Sequence, residues 1–215
     1  MAREWVPAES VPGSGAGPAL AILAAGASRR LGQCKALVEW KGLTTLERLA
    51  RAGACFASAP PMVVSGAHHE AIAARASAGI EVVRNPAWEL GRLGSVRVAR
   101  DARAGFDLCL APVDTPLVER EVFEQLARAW REAGAPAEGW LAPCTAGVPP
   151  RYGHPIVVGR ALLAKLEQLA PSQSLRDLRA LARPLLAVVT SSRAILDDLD
   201  TPEDLSRLRI RESAE

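Results

Sequence analysis

Short apolar segments that alternate with amphipathic helical patterns constrain the fold of this chain more than any other feature. The segments predicted as strands are almost entirely apolar, which is typical of strands that are buried on both faces. They cover residues 19–24, 62–65, 80–84, 107–111, 139–143, 155–158 and 185–189. The helices predicted between them cover residues 44–54, 69–76, 119–132, 160–169 and 174–182. This alternation predicts an α/β fold, a three-layer sandwich around a mostly parallel, mixed sheet.

Length and composition fit one globular domain. The chain has 215 residues, of which 49% are hydrophobic and 23% are charged. Residues 1–17 are rich in Gly, Pro and Ser and lack periodicity, so we predict a flexible leader followed by a single domain at residues 18–215. The formal net charge of +2 argues against a dedicated nucleic-acid or membrane surface, and the predicted partners are small molecules. No feature of the sequence predicts an oligomeric state.

The apolar segment at residues 18–27 is too short to span a bilayer. The residues before it include two acidic side chains and the single base Arg3, so the basic segment of a signal peptide is missing. We therefore predict a cytoplasmic location. The cysteines are scattered without a Cys-x-x-Cys pair, which favours free thiols over a zinc site or a disulfide framework. They are Cys34, Cys55, Cys109 and Cys144.

The segment after the first predicted strand has the composition of a phosphate-binding loop. Residues 23–35 read Leu-Ala-Ala-Gly-Ala-Ser-Arg-Arg-Leu-Gly-Gln-Cys-Lys. Small residues let the backbone approach a nucleotide, and Arg30 and Lys35 are suited to neutralise a triphosphate. The alternative is a tight turn with solvated cations. The segment contains neither Gly-x-Gly-x-x-Gly nor a Walker pattern, which disfavours a dinucleotide cofactor.

Two acidic segments are candidates for a metal site. Asp114 follows the strand at residues 107–111, although it could instead cap the helix that begins near Glu119. Asp200 opens an Asp-Thr-Pro-Glu segment in which Thr201 has the position of a helix N-cap. Magnesium prefers few carboxylates together with substrate phosphates and water, so these residues suit it. From the residues alone, the metal and capping interpretations of Asp114 remain balanced.

The pattern Leu-Ala-Ala-Gly-x-Ser-x-Arg-Leu-Gly-x-x-Lys at residues 23–35 resembles the MobA-like NTP transferase family, particularly its molybdenum cofactor cytidylyltransferase branch. The resemblance extends along essentially the whole chain after residue 17. It implies a Rossmann-like nucleotidyltransferase fold and transfer of a nucleoside monophosphate from an NTP to a small phosphorylated acceptor, with release of pyrophosphate. In the family that the segment resembles, Ala at the third motif position goes with cytidine nucleotides and Gly with guanosine nucleotides, so the resemblance implies that Ala25 favours CTP over GTP. The nucleotide-binding residues that the resemblance implies in this loop are Leu23, Ala24, Ala25, Gly26, Ser28, Arg30 and Lys35.

The resemblance also decides between the two interpretations of the acidic segments. Asp114 stands in an Asp-x-Pro-Leu segment and Asp200 in an Asp-Thr-Pro-Glu-Asp segment, which are similar to the family's metal motifs. It implies that these two residues bind Mg²⁺, the predicted cofactor, with Asp198 as a second choice. The catalytic residues are then predicted to be Arg30, Lys35 and Asp114.

Residues 85–97 resemble the family's Asn-Pro-x-Trp-x-x-Gly-x-x-x-Ser segment, in which Ser95 would hydrogen-bond the base or a phosphate. The alternative is a turn at a helix start, with Trp88 in the core and Arg92 and Arg97 as solvated cations. His68 and His69 are interpreted as surface residues at another helix start.

His154 stands in a segment that resembles the family's Arg-Gly-His-Pro motif, and we predict either an acceptor-phosphate ligand or a structural histidine. Tyr152 interrupts that motif, and residues 171–178 lack the acidic residue and glycines of another family segment. The acceptor is therefore left open between a molybdopterin-type cofactor and a sugar phosphate or another phosphate ester. The rival classes are a non-catalytic nucleotide-binding module and a Rossmann dehydrogenase, which the missing glycine pattern disfavours.

Overall fold

The computed structural model describes residues 17–170 and 173–214 of the chain. The strands are β1 (Ala19–Ala24), β2 (Glu39–Trp40), β3 (Leu43–Thr44), β4 (Met62–Ser65), β5 (Glu81–Arg84), β6 (Leu108–Pro112), β7 (Trp140–Cys144), β8 (Ile156–Val158) and β9 (Leu185–Val189). The α-helices are α1 (Thr45–Ala52), α2 (His69–Arg75), α3 (Arg92–Ala102), α4 (Arg120–Glu132), α5 (Arg160–Ala164), α6 (Leu175–Ala180) and α7 (Pro202–Ala214). Except for Gly17, the predicted leader lies outside the described residues.

Seven strands form one sheet in the order β5-β4-β1-β6-β8-β7-β9. β8 runs antiparallel to its neighbours β6 and β7, whereas the other adjacent strands are parallel. The remaining strands, β2 and β3, pair as a separate antiparallel hairpin. The prediction of a mostly parallel, mixed sheet is therefore confirmed.

The strand order reverses beside β1. The chain leaves β1 for β4 and β5 on one side and then returns to β6 on the other side, with Ala19 paired to Leu108 and Ile22 paired to Ala111. Ligands of open α/β sheets bind outside the carboxyl ends of the strands at such a switch point. The loops that follow β1 and β6 are therefore where a site is expected.

Residues of β1 point alternately to the two faces of the sheet, and each face is covered by helices. Leu20 and Ile22 pack in one hydrophobic layer, while Ala21 and Leu23 pack in the other. The first layer is completed by residues of α1, α4 and α7, including Leu46, Leu49, Phe123, Leu126, Trp130 and Leu208. The second is completed by residues of α3, α5 and α6, including Leu93, Val96, Ala99, Leu162, Leu163 and Leu178. The predicted three-layer sandwich is thus confirmed.

Three local features differ from the prediction. Helix α3 covers residues that the sequence predicted only as the start of a helix, and the β2–β3 hairpin was not predicted. Each strand of that hairpin has two residues, too few to show alternation. The helix predicted at residues 160–169 changes to a 3₁₀ helix at Lys165–Gln168.

A buried carboxylate joins the sheet to both helical layers. Asp107 is 5% exposed, and it accepts hydrogen bonds from Trp130 Nε1 at 3.0 Å and from the backbone N–H of Arg160 at 2.9 Å. We expect Asp107→Ala to lower the free energy of unfolding by about 2–4 kcal/mol, because the buried indole N–H of Trp130 and the backbone N–H of Arg160 both lose their acceptor. Urea unfolding of the variant checks this. Asp101→Ala, which removes an exposed carboxylate, is the control and should change stability by about 0.5 kcal/mol or less.

Candidate active site

The loop after β1 is held in a defined shape by its own hydrogen bonds and by a neighbouring loop. The hydroxyl of Ser28 accepts a hydrogen bond from the backbone N–H of Lys35 at 3.3 Å. The carbonyl oxygen of Ser28 accepts hydrogen bonds from the backbone N–H groups of Leu31 and Gly32, each at 3.1 Å. The Nε2 atom of His68 lies 3.0 Å from the carbonyl oxygen of Ala27. The loop therefore places Lys35 close to the end of β1 although it is eleven residues further along the chain than Ala24.

A cleft of about 480 Å³ opens at the carboxyl ends of β1 and β6. Seven charged side chains line it, four basic and three acidic: Arg29, Arg30, Lys35, Arg92, Glu89, Asp114 and Asp200. Leu23, Ala25, Gly26, Ser28 and Ser95 also line it, whereas the side chain of Ala24 packs into the hydrophobic layer of α1 and α4. Of the nucleotide-binding residues predicted in the first loop, all but Ala24 thus line one cleft.

Asp114 lies just beyond β6, and its backbone is joined to the segment that contains Asp200. The carbonyl oxygen of Asp114 accepts a hydrogen bond from the N–H of Leu199 at 2.7 Å. The side chain does not cap α4, whose N-cap is Glu119. One carboxylate oxygen, Oδ2, lies 3.5 Å from Arg92 Nη2, whereas Oδ1 is buried and has no hydrogen-bond partner. The unpartnered oxygen leaves Asp114 with capacity for a further ligand.

Asp200 contacts both predicted phosphate-binding cations. Its Oδ1 lies 2.6 Å from Lys35 Nζ and its Oδ2 lies 2.9 Å from Arg30 Nη2. The hydrogen bond from Lys35, together with the nearby positive charges, lowers the pKa of the Asp200 carboxyl group. The backbone is held by the Asp204 carboxylate, which accepts hydrogen bonds from the N–H groups of Asp200 and Thr201. The predicted helix start at Thr201 and Pro202 is confirmed, and capping leaves the Asp200 side chain free to face the cleft.

Two further ionisable groups lie near Asp114. Partial burial, together with the charges of Asp114 and Asp200, raises the pKa of Asp198. The strand that follows His154 is antiparallel to β6, which brings this histidine to the edge of the sheet where Asp114 lies. Burial lowers the pKa of His154, and its Nδ1 is buried without a hydrogen-bond partner. At neutral pH the imidazole is therefore neutral and has an unused nitrogen.

The wall of the cleft opposite the first loop is formed by the segment before α3 and by its first turn. Ser95 is buried and accepts a hydrogen bond from Asn85 Nδ2 at 3.1 Å. Trp88 is only half-buried and lines the cleft, so it is not a core residue. Gly66 allows the close approach of this wall to the first loop, because a Cβ atom there would lie 2.6 Å from the Cβ of Trp88 and 2.9 Å from that of Ala25.

The interpretation of Arg97 as a solvated cation was wrong, whereas the exposed side chain of Arg92 fits that interpretation. Arg92 is exposed but lines the cleft beside Asp114, and Arg97 instead donates hydrogen bonds to the carbonyl oxygens of Leu166 and Leu169. His68 and His69 are half-buried. The sequence did not predict that Arg29 and Glu89 line the cleft. Both are exposed charged residues, and no motif distinguishes them from other charged residues at the surface.

The altered family motif is the segment at residues 151–155, which contains His154. Tyr152 is half-exposed, and its backbone forms an isolated antiparallel β-bridge with Cys144. The Cζ atom of Arg179 lies 5.2 Å from the centroid of the Tyr152 ring. Arg151 is exposed and its N–H donates to Thr145 Oγ1. The residue that interrupts the motif thus forms a cation–π contact at the surface.

The four cysteines are free thiols, as predicted, and Cys109 and Cys144 are buried. Burial also raises the pKa of the Cys34 thiol in the first loop. None of the helices that the structure describes is long and apolar enough to cross a membrane.

Comparison with known proteins agrees with this geometry. The MobA-like NTP transferase domain model matches residues 20–188, which contain both the first loop and Asp114. The chain belongs to the MobA-like NTP transferase family. As a MobA-like protein it is a nucleotidyltransferase that acts on nucleoside triphosphates, related to the transferases of molybdenum cofactor biosynthesis.

Curated relatives of this MobA-like chain match over most of their length. It is 34% identical to a molybdenum cofactor guanylyltransferase of Xanthomonas euvesicatoria pv. vesicatoria (strain 85-10), covering 87% of this chain and 92% of the relative. It is 27% identical to the molybdenum cofactor cytidylyltransferase of Escherichia coli (strain K12), covering 85% and 91%. The crystal structure of Rv0371c from Mycobacterium tuberculosis H37Rv has the same fold, with a TM-score of 0.73 at 24% identity and coverage of 90% and 98%.

Proposed function

We propose that this chain transfers a nucleoside monophosphate, with CMP favoured, from a magnesium-bound NTP to a small phosphorylated acceptor and releases pyrophosphate. The acceptor class includes molybdopterin-type cofactors. The observation that carries the proposal is the meeting of Asp114, Asp200, Arg30 and Lys35 in one cleft. The Lys35–Asp200 contact joins positions that are 165 residues apart in the chain.

The donor set of the cleft fits a magnesium ion that is bound partly by its substrate. Within residues 17–170 and 173–214, no cluster of three or more His, Cys, Asp or Glu side chains has the arrangement of a metal site. Magnesium retains waters and commonly uses one or two carboxylates plus substrate phosphates, so such a cluster is not required. The buried, unpartnered Oδ1 of Asp114 is the donor that points most directly to a cation. Asp114 and Asp200 would hold the ion, with Asp198 close to both.

The protein's own contribution to the reaction is positioning and charge stabilisation. Arg30 and Lys35 bind the phosphates, and the loop around Ser28, which is held in shape by its own hydrogen bonds, fixes the backbone of Lys35 beside the cleft. An oxygen of the acceptor phosphate attacks the α-phosphorus of the NTP, the bond from that phosphorus to the bridging oxygen breaks, and pyrophosphate leaves. Bound magnesium would stabilise negative charge on the phosphate oxygens. No protein nucleophile is needed.

His154 is proposed to face the acceptor. Its neutral imidazole lies within electrostatic reach of Asp114 where β8 begins, although His154 is not among the residues that line the cleft. A neutral nitrogen without a partner can donate or accept one hydrogen bond to an acceptor group without adding charge. The altered segment around Tyr152 is the part of this region that differs from the family motif, so acceptor choice is expected to depend on it.

The test of the proposed function is a pyrophosphate-release assay with each NTP, Mg²⁺ and a series of acceptors. The series contains a molybdopterin-type cofactor, sugar phosphates and other phosphate esters. Release that requires both Mg²⁺ and one acceptor supports the proposal. Nucleotide binding without turnover with any acceptor would instead favour a binding module.

Base preference is predicted to depend on the methyl group of Ala25. We expect Ala25→Gly to shift the ratio of kcat/KM values for CTP and GTP by about tenfold toward GTP, since one methyl group in a pocket discriminates by about 10–200-fold. Steady-state pyrophosphate release with each nucleotide measures the ratio. Ala24→Gly is the matched control, because it removes the same methyl group from a side chain that packs in the core. An unchanged ratio in Ala25→Gly would contradict the assignment.

A further inference from the structure

The two cations that the proposed function assigns to phosphates are hydrogen-bonded to a carboxylate in this structure. Lys35 and Arg30 each contact a different oxygen of Asp200, at 2.6 and 2.9 Å. The side chain of Lys35 is 14% exposed, which leaves its ammonium group few other partners. The Asp200 carboxyl group is ionised at neutral pH, because the hydrogen bond from Lys35 lowers its pKa. The carboxylate therefore competes with any phosphate for the same donors.

Asp200 is also one of three carboxylates near the place where a polyphosphate would lie. The charges of Asp114 and Asp200 both act on Asp198, and Asp114 and Asp200 line the same cleft. A metal-free triphosphate would bring further negative charge to this group while taking the cations from Asp200. Like charges brought together in one cleft are mutually unfavourable unless a cation lies between them.

A divalent cation would reduce both the competition for Arg30 and Lys35 and the repulsion between the carboxylates and the phosphates. When it is carried on the triphosphate, it offers Asp200 a replacement for the ion pairs with Arg30 and Lys35, and these two side chains become available to the phosphates. A metal-free triphosphate offers no such replacement. The same carboxylate thus opposes one form of the nucleotide and favours the other.

We infer that Asp200 is a specificity-determining residue that makes the cleft select the metal complex of a nucleoside triphosphate over the metal-free form. This inference rests on the proposed function, because it assumes that the triphosphate occupies the cleft beside Arg30 and Lys35. It adds that one side chain determines whether the metal ion strengthens or weakens binding of the triphosphate. Its removal has opposite effects on the two forms of the nucleotide.

The test is calorimetric titration of the full-length protein with CTP, once in EDTA and once in excess Mg²⁺, without acceptor. For Asp200→Asn we expect metal-free affinity to rise about fivefold or more, which is the lower end of coupling between two bound ligands. Affinity in Mg²⁺ should fall about tenfold, which is comparable to the loss when a metal ligand's support is removed. Asp200→Ser should likewise raise the metal-free affinity and lower the affinity in Mg²⁺. This second substitution excludes a local effect of the asparagine amide.

Two matched variants separate the inference from a general charge effect. Glu39→Gln removes one carboxylate from an exposed ion pair with Arg75 outside the cleft, and it should leave both affinities unchanged. Lys35→Met combined with Asp200→Asn should give a smaller gain in metal-free affinity than Asp200→Asn alone, because only Arg30 of the two released cations remains. A defect in folding cannot raise one affinity while it lowers the other.

The outcomes distinguish the inference from the proposed function. If the wild-type protein binds none of the four common NTPs in Mg²⁺, the proposed function fails and the inference fails with it. If the wild-type protein binds Mg·CTP but Asp200→Asn gains no metal-free affinity, only the inference is overturned. A gain that is matched by Glu39→Gln would overturn it as well, since the effect would then come from net charge.

Discussion

Asp114→Ala is expected to reduce magnesium-dependent pyrophosphate release by about 10²–10³-fold or more, the loss typical when one group that stabilises developing charge is removed. The reason is the position of the side chain at the carboxyl end of β6, where its buried Oδ1 has no protein partner. An ion that is bound partly by phosphates relies on each of its few protein ligands. Pyrophosphate release at saturating NTP, measured across a range of Mg²⁺ concentrations, is the readout.

The same substitution should cost little stability. The Asp114 side chain makes one long contact, to Arg92 at 3.5 Å, and a buried oxygen without a partner is unfavourable in the folded state. We therefore expect the urea midpoint of Asp114→Ala to equal or slightly exceed that of the wild-type protein. Activity close to that of the wild-type protein would refute the role of Asp114, and a lowered midpoint would indicate that the loss of activity reflects unfolding.

The fold could be predicted from the sequence because its central strands β1, β4 and β6 are buried on both faces, and the edge strand β9, although partly exposed, is entirely apolar. The segments at residues 19–24, 62–65 and 185–189 were predicted with the bounds that the structure gives β1, β4 and β9. Helix α3 was harder to predict because it contains Gly94 and the β-branched residues Val96 and Val98, which weaken a helical pattern. Its stability comes partly from contacts that are distant in sequence, such as those of Arg97 with the carbonyl oxygens of Leu166 and Leu169.

The site could be predicted only in part. The first loop and Asp114 both follow apolar strands, and position after a strand is a signal that the sequence contains. The contacts between Asp200 and the cations of the first loop depend instead on how α7 returns to the sheet. No local pattern encodes that return, so Asp200 was assigned through the family resemblance. The hydrogen bond from His68 to the carbonyl oxygen of Ala27 could not be predicted from a local pattern either, because it depends on the parallel pairing of β1 with β4.

Lys35→Met is expected to lower kcat/KM for the magnesium-bound NTP by about 10²–10³-fold, because it removes one fixed positive charge from the path of the phosphates. The ammonium group is well placed for this role. It is largely shielded from solvent, and the hydrogen bond from the Lys35 N–H to Ser28 Oγ fixes the backbone of the residue in the first loop. Steady-state pyrophosphate release at several NTP concentrations separates kcat from KM.

Lys165→Met is the matched control for this prediction. Lys165 Nζ also contacts a carboxylate, Glu138, at 3.0 Å, but the pair lies outside the cleft. Its removal should leave kcat/KM unchanged. Lys35→Arg keeps the positive charge but replaces a compact ammonium with a planar guanidinium, so we expect activity between those of Lys35→Met and the wild-type protein. If Lys35→Met lost no more activity than Lys165→Met, the phosphates would have to lie elsewhere, and the assignment of the first loop would be wrong.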